Sequence, residues 1–322
     1  MKHFLRAAAA IAAILASAAA LPAQTVEQVK EGEFNAVNIT NGNFDVSFVP
    51  SDKYSVKIVV DELIADFVSS SLRDQAVYVA YDSKNLPKEV KKVYRGPKKI
   101  DPVLQVIISA PSLQELYLSD GSTFTGAGAL TTDKFDLTLV DNAKVNSLNV
   151  IAENVGVLLK KKASAVMDVS ASNALTVSTE GSSNARISGK FGSIMTTSAG
   201  SSTISLEGAS EEIEVKSSET SQTTINSETR KVRIESANSS RVALTGSASE
   251  MEINGKNNAS VDVRNIKVDE VTIKANSANV TVGPKKKLNL ELTGGASCYY
   301  DGEPQFTISK IVKSTLAPTG TK

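Results

Sequence analysis

Ten short apolar alternations recur along this chain. They start at Leu116, Leu137, Val157, Leu175, Ile194, Ile213, Val232, Met251, Val271 and Leu290, always 18 to 21 residues apart. Nine of the ten have an apolar partner two positions on, as in Leu175/Val177, Val232/Ile234 and Val271/Ile273; Ile194 has Thr196. Period two means a strand with both residues on one side. A second pair follows about ten residues later, as in Met167/Val169, Ile204/Leu206 and Val242/Leu244. Runs such as "STEGSSN", "SAGSS", "SANSS" and "GKNNAS" separate the pairs. Small polar residues of this kind suit tight turns and unusual backbone angles.

One such unit of about 19 residues buries too little to fold alone. Stacked on its neighbours, each strand pairs above and below, and the apolar pairs form columns. The expectation is an all-β fold: a single-stranded, right-handed parallel β-helix (a solenoid) of about ten rungs, with an N-terminal β-rich cap. An antiparallel meander sandwich is the competing fold, but it does not require a 19-residue unit. Apolar residues make up 41% and aromatics 5%, with no Trp. That composition suits a narrow core of Val, Ile, Leu and Ala.

The expected layout is a signal peptide over 1–23, a β-rich capping region over 24–110, the solenoid over 111–303, and a C-terminal cap and tail over 304–322. "MKHFLR", the apolar run "AAAAIAAILASAAAL" and "LPA" before Gln24 form the pattern of a secretory signal. The run is short for a membrane span, and no later segment is apolar enough for one. The chain is therefore expected to be exported, to the cell surface, the medium or the periplasm. Removal of Lys2 and Arg6 takes the basic count from 35 to 33 against 35 acidic residues, a net −2. Nothing in that balance calls for nucleic acid. The only His, His3, leaves with the signal, and Cys298 alone cannot form an internal disulfide.

Within 24–110, "FNAVNI", "FDVSFV", "YSVKIVV", "AVYVAY" and "VLQVIIS" read as strands, and "DELIADFVSSSL" as one short helix. Their expected task is to cover the open first rung, whose edge invites aggregation. "FTISKIVKS" is expected to cap the last one. The basic run from Ser83 to Ile100 includes Lys91, Lys92, Tyr94, Arg95, Lys98 and Lys99. It reads either as a contact for an anionic surface or as a solvated loop.

The chemistry of known solenoid enzymes finds little support. Asp168, Asp262 and Asp269 fall on different rungs, without the paired spacing of glycoside hydrolysis. A mature chain without His lacks the usual general base and His-containing triads, and His/Cys zinc sites are out. No phosphate loop and no calcium nonapeptide occurs. No catalytic residue, cofactor or metal is expected. Cys298, before Tyr299 and Tyr300, reads as a buried small hydrophobe.

"FNAVNITNGNFDVSFVPSDKYSVKIVVDELIADFV", then "PSLQELYLSDGSTF", then serial rungs with Ser/Gly/Asn turns resemble the secreted Bacteroidetes proteins that carry an autotransporter-adhesin head GIN domain. The resemblance runs from about Phe34 to Tyr300. It implies a β-helix shaped like the pectin lyases without their active site, and a role in adhesion at the cell surface. No barrel-type anchor segment is expected after the solenoid, which departs from the pattern of full autotransporters.

The function expected on these grounds is non-enzymatic binding to a glycan or protein at the cell envelope. The contact face is expected at Ser201, Ser202, Ser239, Ser240, Asn257 and Asn258, a ladder of hydroxyls and amides. The alternatives are a polysaccharide-active enzyme with an unusual site on this helix, and an envelope scaffold. The oligomeric state is not legible.

Overall fold

In the computed structural model, residues 25–95 and 101–320 are described. The expected signal peptide over 1–23 and the basic residues Lys98 and Lys99 lie outside them. The first part of the chain forms β1 (Thr25–Glu31), β2 (Ala36–Thr40), β3 (Asp45–Pro50), β4 (Ser55–Asp61), β5 (Val68–Arg73), β6 (Ala76–Tyr81), helix α1 (Lys88–Arg95) and β7 (Leu104–Ala110). Then come β8 (Glu115–Leu118), β9 (Thr123–Thr131), β10 (Lys134–Leu139), β11 (Lys144–Leu159), β12 (Ser164–Thr179), β13 (Asn184–Ser198), β14 (Thr203–Ala209), β15 (Glu212–Ser217) and β16 (Gln222–Glu228). The last are β17 (Lys231–Ala237), β18 (Arg241–Lys256), β19 (Ser260–Asn276), β20 (Asn279–Thr293), β21 (Ser297–Tyr300), β22 (Gln305–Ile311) and β23 (Thr315–Pro318).

From β8 onward every pairing is parallel and joins one coil to the next, which makes a parallel β-solenoid of about 11 turns. Alternate residues point inward, so the core is a set of columns along the axis. One runs Leu116, Leu137, Val157, Val177, Thr196, Val215, Ile234, Ile253, Ile273, Leu290, Ile308. The repeat as read from sequence changes column twice, by two residues each time: between Val157 and Leu175, and back between Val271, which stacks on Leu288, and Leu290. Leu175 stacks on Val155 and Ile194, one column over from Val157. Apart from Thr196 both columns are apolar, and they lie two residues apart, so periodicity alone does not separate them.

The parallel stack also extends into the region read as cap. Strands β2 and β3 form a coil that pairs in parallel with β8 and β9 on one side and with β6 and β7 on the other. The chain thus lays its second coil outside its first, then crosses over through residues 111–114, where Gln114 N–H donates to the Asn35 carbonyl at 2.7 Å. Only β1, β4 and β5 run antiparallel: β4 on β7, β1 on β4, β5 on β6. They cover the N-terminal end.

Two local expectations change. "DELIADFVSSSL" keeps its one short helix, a six-residue 3-10 helix over Glu62–Phe67, but its second half is β5. Its serines favour backbone pairing over a helix interior, and β6 supplies the pairing. "FTISKIVKS" is no separate cap. It contains β22, a further coil paired in parallel on β20.

Candidate functional site

After each first strand of a coil the chain turns sharply. The turn residues take left-handed backbone: Gly200 (φ 75°), Glu219 (61°), Asn238 (56°), Ser239 (70°), Asn257 (53°), Asn258 (65°) and Ser277 (52°). Gly and Asn enter this region at least cost, which explains the composition of the runs between strands. The turns stack in register. Ser201 N–H donates to the Gly181 carbonyl at 2.6 Å, and Asn258 N–H to the Ser277 carbonyl at 2.6 Å. Side chains follow the same ladder: Ser201 Oγ lies 3.0 Å from Thr220 Oγ1, and Asn257 Nδ2 donates to Asn238 Oδ1 at 3.1 Å.

The exposed ladder therefore gathers Ser201, Ser239, Asn257 and Asn258 along one edge of the rod. Ser202 and Ser240 do not belong to it. Both are fully buried. They occupy the third position of the turn, which points inward and holds a small residue in coil after coil: Ala163, Ser183, Ser202, Ser221, Ser240, Ala259. Ser202 receives a hydrogen bond from Thr179 Oγ1 at 2.9 Å, and Ser240 Oγ donates to the Ser217 carbonyl at 3.0 Å. Their hydroxyls satisfy the core rather than a ligand.

Next to this edge the inward column shrinks. Leu139 and Leu159 give way to Thr179, Ser198, Ser217, Ser236, Gly255 and Ala275 before Leu292 restores the bulk. The surface dips there into an open groove of about 240 Å³, rimmed by Lys216, Ser218, Glu235, Asn254 and Lys256. Sequence reasoning passed over this groove. Its signal was the loss of Leu at one inward position over successive units.

The basic run is ordered differently from a solvated loop through its described part. Its residues 88–95 form α1, with Leu86 and Val90 buried against the cap. Tyr94 is half-buried, and its hydroxyl donates to Asp61 Oδ2 at 3.2 Å, so the ring serves the cap. Asp61 is buried and also accepts from Val103 N–H at 3.1 Å. Burial first, then the Asp61 charge, pushes the Tyr94 phenol well above its ordinary range. Lys91 Nζ donates to the Lys84 carbonyl at 2.7 Å, and Lys92 is exposed. Arg95 closes the helix. A larger hollow of about 690 Å³ opens nearby between Asn41, Asn43, Tyr81, Asp101 and Asp120.

The three carboxylates considered for hydrolysis are engaged separately. Asp168 accepts from Ser188 at 3.4 Å, Asp262 is gripped by Arg264 at 2.8 Å, and Asp269 by Lys286 at 2.8 Å. Burial raises the Asp262 pKa, but the Arg264 hydrogen bonds outweigh it and hold the carboxyl below the usual range. Among the described residues, no group of three or more His, Cys, Asp or Glu side chains is placed to hold a metal ion. No helix among them is long and apolar enough to cross a membrane. Cys298 is fully buried in an inward column between Val280 and Leu316.

Two overlapping stretches of the chain, residues 33–208 and 191–304, match the family described as "Putative auto-transporter adhesin, head GIN domain". Among solved structures, a "putative adhesin" from Parabacteroides distasonis ATCC 8503 is similar at 13% identity, over 92% of this chain and 97% of that one, with a TM-score of 0.35. A "putative adhesin" from Parabacteroides merdae ATCC 43184 is similar at 17% identity, over 92% and 96%, with a TM-score of 0.33. A "Putative lipid binding protein" from Parabacteroides distasonis ATCC 8503 is similar at 15% identity, over 92% and 96%, with a TM-score of 0.34. No curated protein matches. The family match spans the solenoid and most of the region before it, and on that ground the chain belongs to the auto-transporter adhesin head GIN domain family.

Proposed function

We propose that this protein is an exported, non-enzymatic binding protein of the cell envelope, and that it contacts a glycan or protein through the exposed turn edge and the groove beside it. The observation that carries this reading is the alignment of exposed Ser201, Ser239, Asn257 and Asn258 along one turn edge, with Thr220 between the first two, next in sequence to the groove residues Ala237 and Lys256. Successive coils repeat at roughly 4.8 Å, so the edge presents donors and acceptors as a regular linear array. A long, repetitive ligand meets such an array at several points at once, and weak single contacts then add up.

The test is a glycan array followed by binding to whole cells, with N257G/N258G as the comparison. Glycine keeps the left-handed backbone at both positions and removes only the side chains. Binding that drops in the variant supports the edge as the contact. Binding that is unchanged moves the site elsewhere, and no binding to any glycan or cell removes the adhesion reading. Protease treatment of intact cells, followed by blotting, decides exposure. Protection until lysis would place the protein in the periplasm and favour an envelope scaffold.

A further inference from the structure

The two ends of the rod are finished differently. At the N-terminal end, β1, β4 and β5 cover the coils, and the edge strand β1 carries Glu27, Lys30 and Glu31. Charged side chains on an edge strand discourage further pairing. At the other end, β22 pairs with β20 on one side and with no described strand on the other. Every residue of β22 is exposed, although its inward positions continue the core columns: Phe306 on Leu288, Ile308 on Leu290, Ile311 on Leu292. Phe306 is 39% exposed, Ile308 51% and Ile311 38%. The core is therefore open at this end, with apolar side chains beside an unpaired backbone edge.

The sequence of β22 is complementary to itself. A register shift falls between Leu290 and Glu291 of β20, where Ser309 of β22 is the extra residue. With Ser309 set aside as a bulge, a two-fold axis through Ile308 runs the strand antiparallel to a second copy of itself. Ile308 then meets Ile308, Phe306 meets Ile311, and Thr307 meets Lys310. All three pairs match face for face, inward with inward and outward with outward. The same axis sets the segment before β22, which holds Glu303, against the bend after it in the other copy, which holds Lys313, so the flanking charges attract.

We infer that the open C-terminal coil is a homodimer interface, and that its occupant is the same coil of a second copy. The contact is isologous, the same patch on both partners. Because the N-terminal ends are covered, the assembly closes at two copies and does not grow into a filament. The axis exchanges the two corners of the coil, so the dimer would carry one turn edge on each of its two sides.

The test is sedimentation velocity on the mature chain over a concentration series, with three variants. The expected result is a monomer–dimer equilibrium with no larger species. I308K places a charge at the axis in each copy and shifts the dimerisation midpoint more than tenfold towards monomer. E303K and K313E each weaken the dimer by about two- to fivefold, as expected for an exposed pair, and the E303K/K313E double variant recovers the loss. The charge pair lies outside the core, so it reads the interface even if I308K disorders the last coil. A monomer at all concentrations overturns the inference. So does a dimer insensitive to I308K and to both charge reversals, or a series of growing oligomers.

Discussion

Gly208 lies directly over Gly189 in the next coil, so close that a Cβ on Gly208 would sit 2.0 Å from the Gly189 carbonyl oxygen. The backbone at Gly208 has φ 153°, and Gly189 (146°) and Gly246 (110°) repeat the same bend in their own coils. The bend swings the chain from one side of the coil into the next, and it leaves no room for a side chain. G208A therefore forces neighbouring coils apart and costs about 2–4 kcal/mol. G295A has the contrasting context. Its nearest atom stands 3.9 Å away, at φ 84°, so only the left-handed backbone opposes the change, at about 1–2 kcal/mol. Urea unfolding followed by circular dichroism measures both. Equal losses would contradict the contact argument.

Thr196 is fully buried in the column between Val177 and Val215, and its hydroxyl has no hydrogen-bond partner. The neighbouring hydroxyls differ: Ser198 Oγ reaches Ser217, Ser221 and Thr223 at 3.0–3.1 Å. A buried, unpaired hydroxyl costs about 1–3 kcal/mol, and valine has the same shape without it. T196V is expected to stabilise the fold by about 1 kcal/mol, seen as a higher urea midpoint at unchanged slope. Loss of stability would mean that the hydroxyl has a partner after all.

The solenoid was legible because its signal is repeated: one inward pair in a single unit means little, and ten starts spaced 18 to 21 residues apart mean stacking. The register was less legible. Leu175 and Val177 are both inward and apolar, and only pairing with Val155 and Val157 tells them apart. Ser201 and Ser202 show the same limit in the candidate site. Both are small, polar and in a turn, yet one faces water and the other fills the corner of the core. Composition cannot resolve a difference that a single residue of phase decides. The coil made by β2 and β3 escaped because its neighbours in space, β6/β7 and β8/β9, are not its neighbours in sequence order. Helix α1 escaped because its lysines outnumber the two buried residues, Leu86 and Val90, that seat it.

Cys298 is the single cysteine, and burial pushes its thiol up to about 12. The thiolate is the reactive form, so the native protein holds almost none of it near neutral pH. Ellman's reagent at pH 8 is expected to leave the folded chain unlabelled and to label one thiol per chain in urea. The rate of labelling in the folded state then reports opening of the last coils, since Cys298 lies only one strand from β23. Rapid labelling without denaturant would show that the C-terminal coils open readily.

Asp61 and Tyr94 fasten α1 to the cap, and their contact sets a pH limit. The Tyr94 phenol is raised from its ordinary 10.0 by burial, by the Asp61 charge and by the hydrogen bond to it. A raised pKa in the folded state means that the fold holds the proton more tightly than the unfolded chain. The contribution is complete below pH 10 and declines as pH rises above it, where the unfolded phenol ionises first. Tyrosinate absorbance should show the effect in a difference titration. The wild type minus Y94F is expected to give no signal until well above pH 10, and D61N should bring that signal part of the way down, with burial still opposing ionisation. At pH 8, where the phenol is neutral in either state, Y94F removes one hydrogen bond and leaves Asp61 with Val103 N–H alone. That is expected to cost about 1 kcal/mol locally and to speed tryptic cleavage at Lys88, Lys91 and Lys92 several-fold, with the solenoid itself unaffected. A phenol that titrates at its ordinary value, or cleavage that does not change, would mean that α1 is held by Leu86 and Val90 without help from this pair.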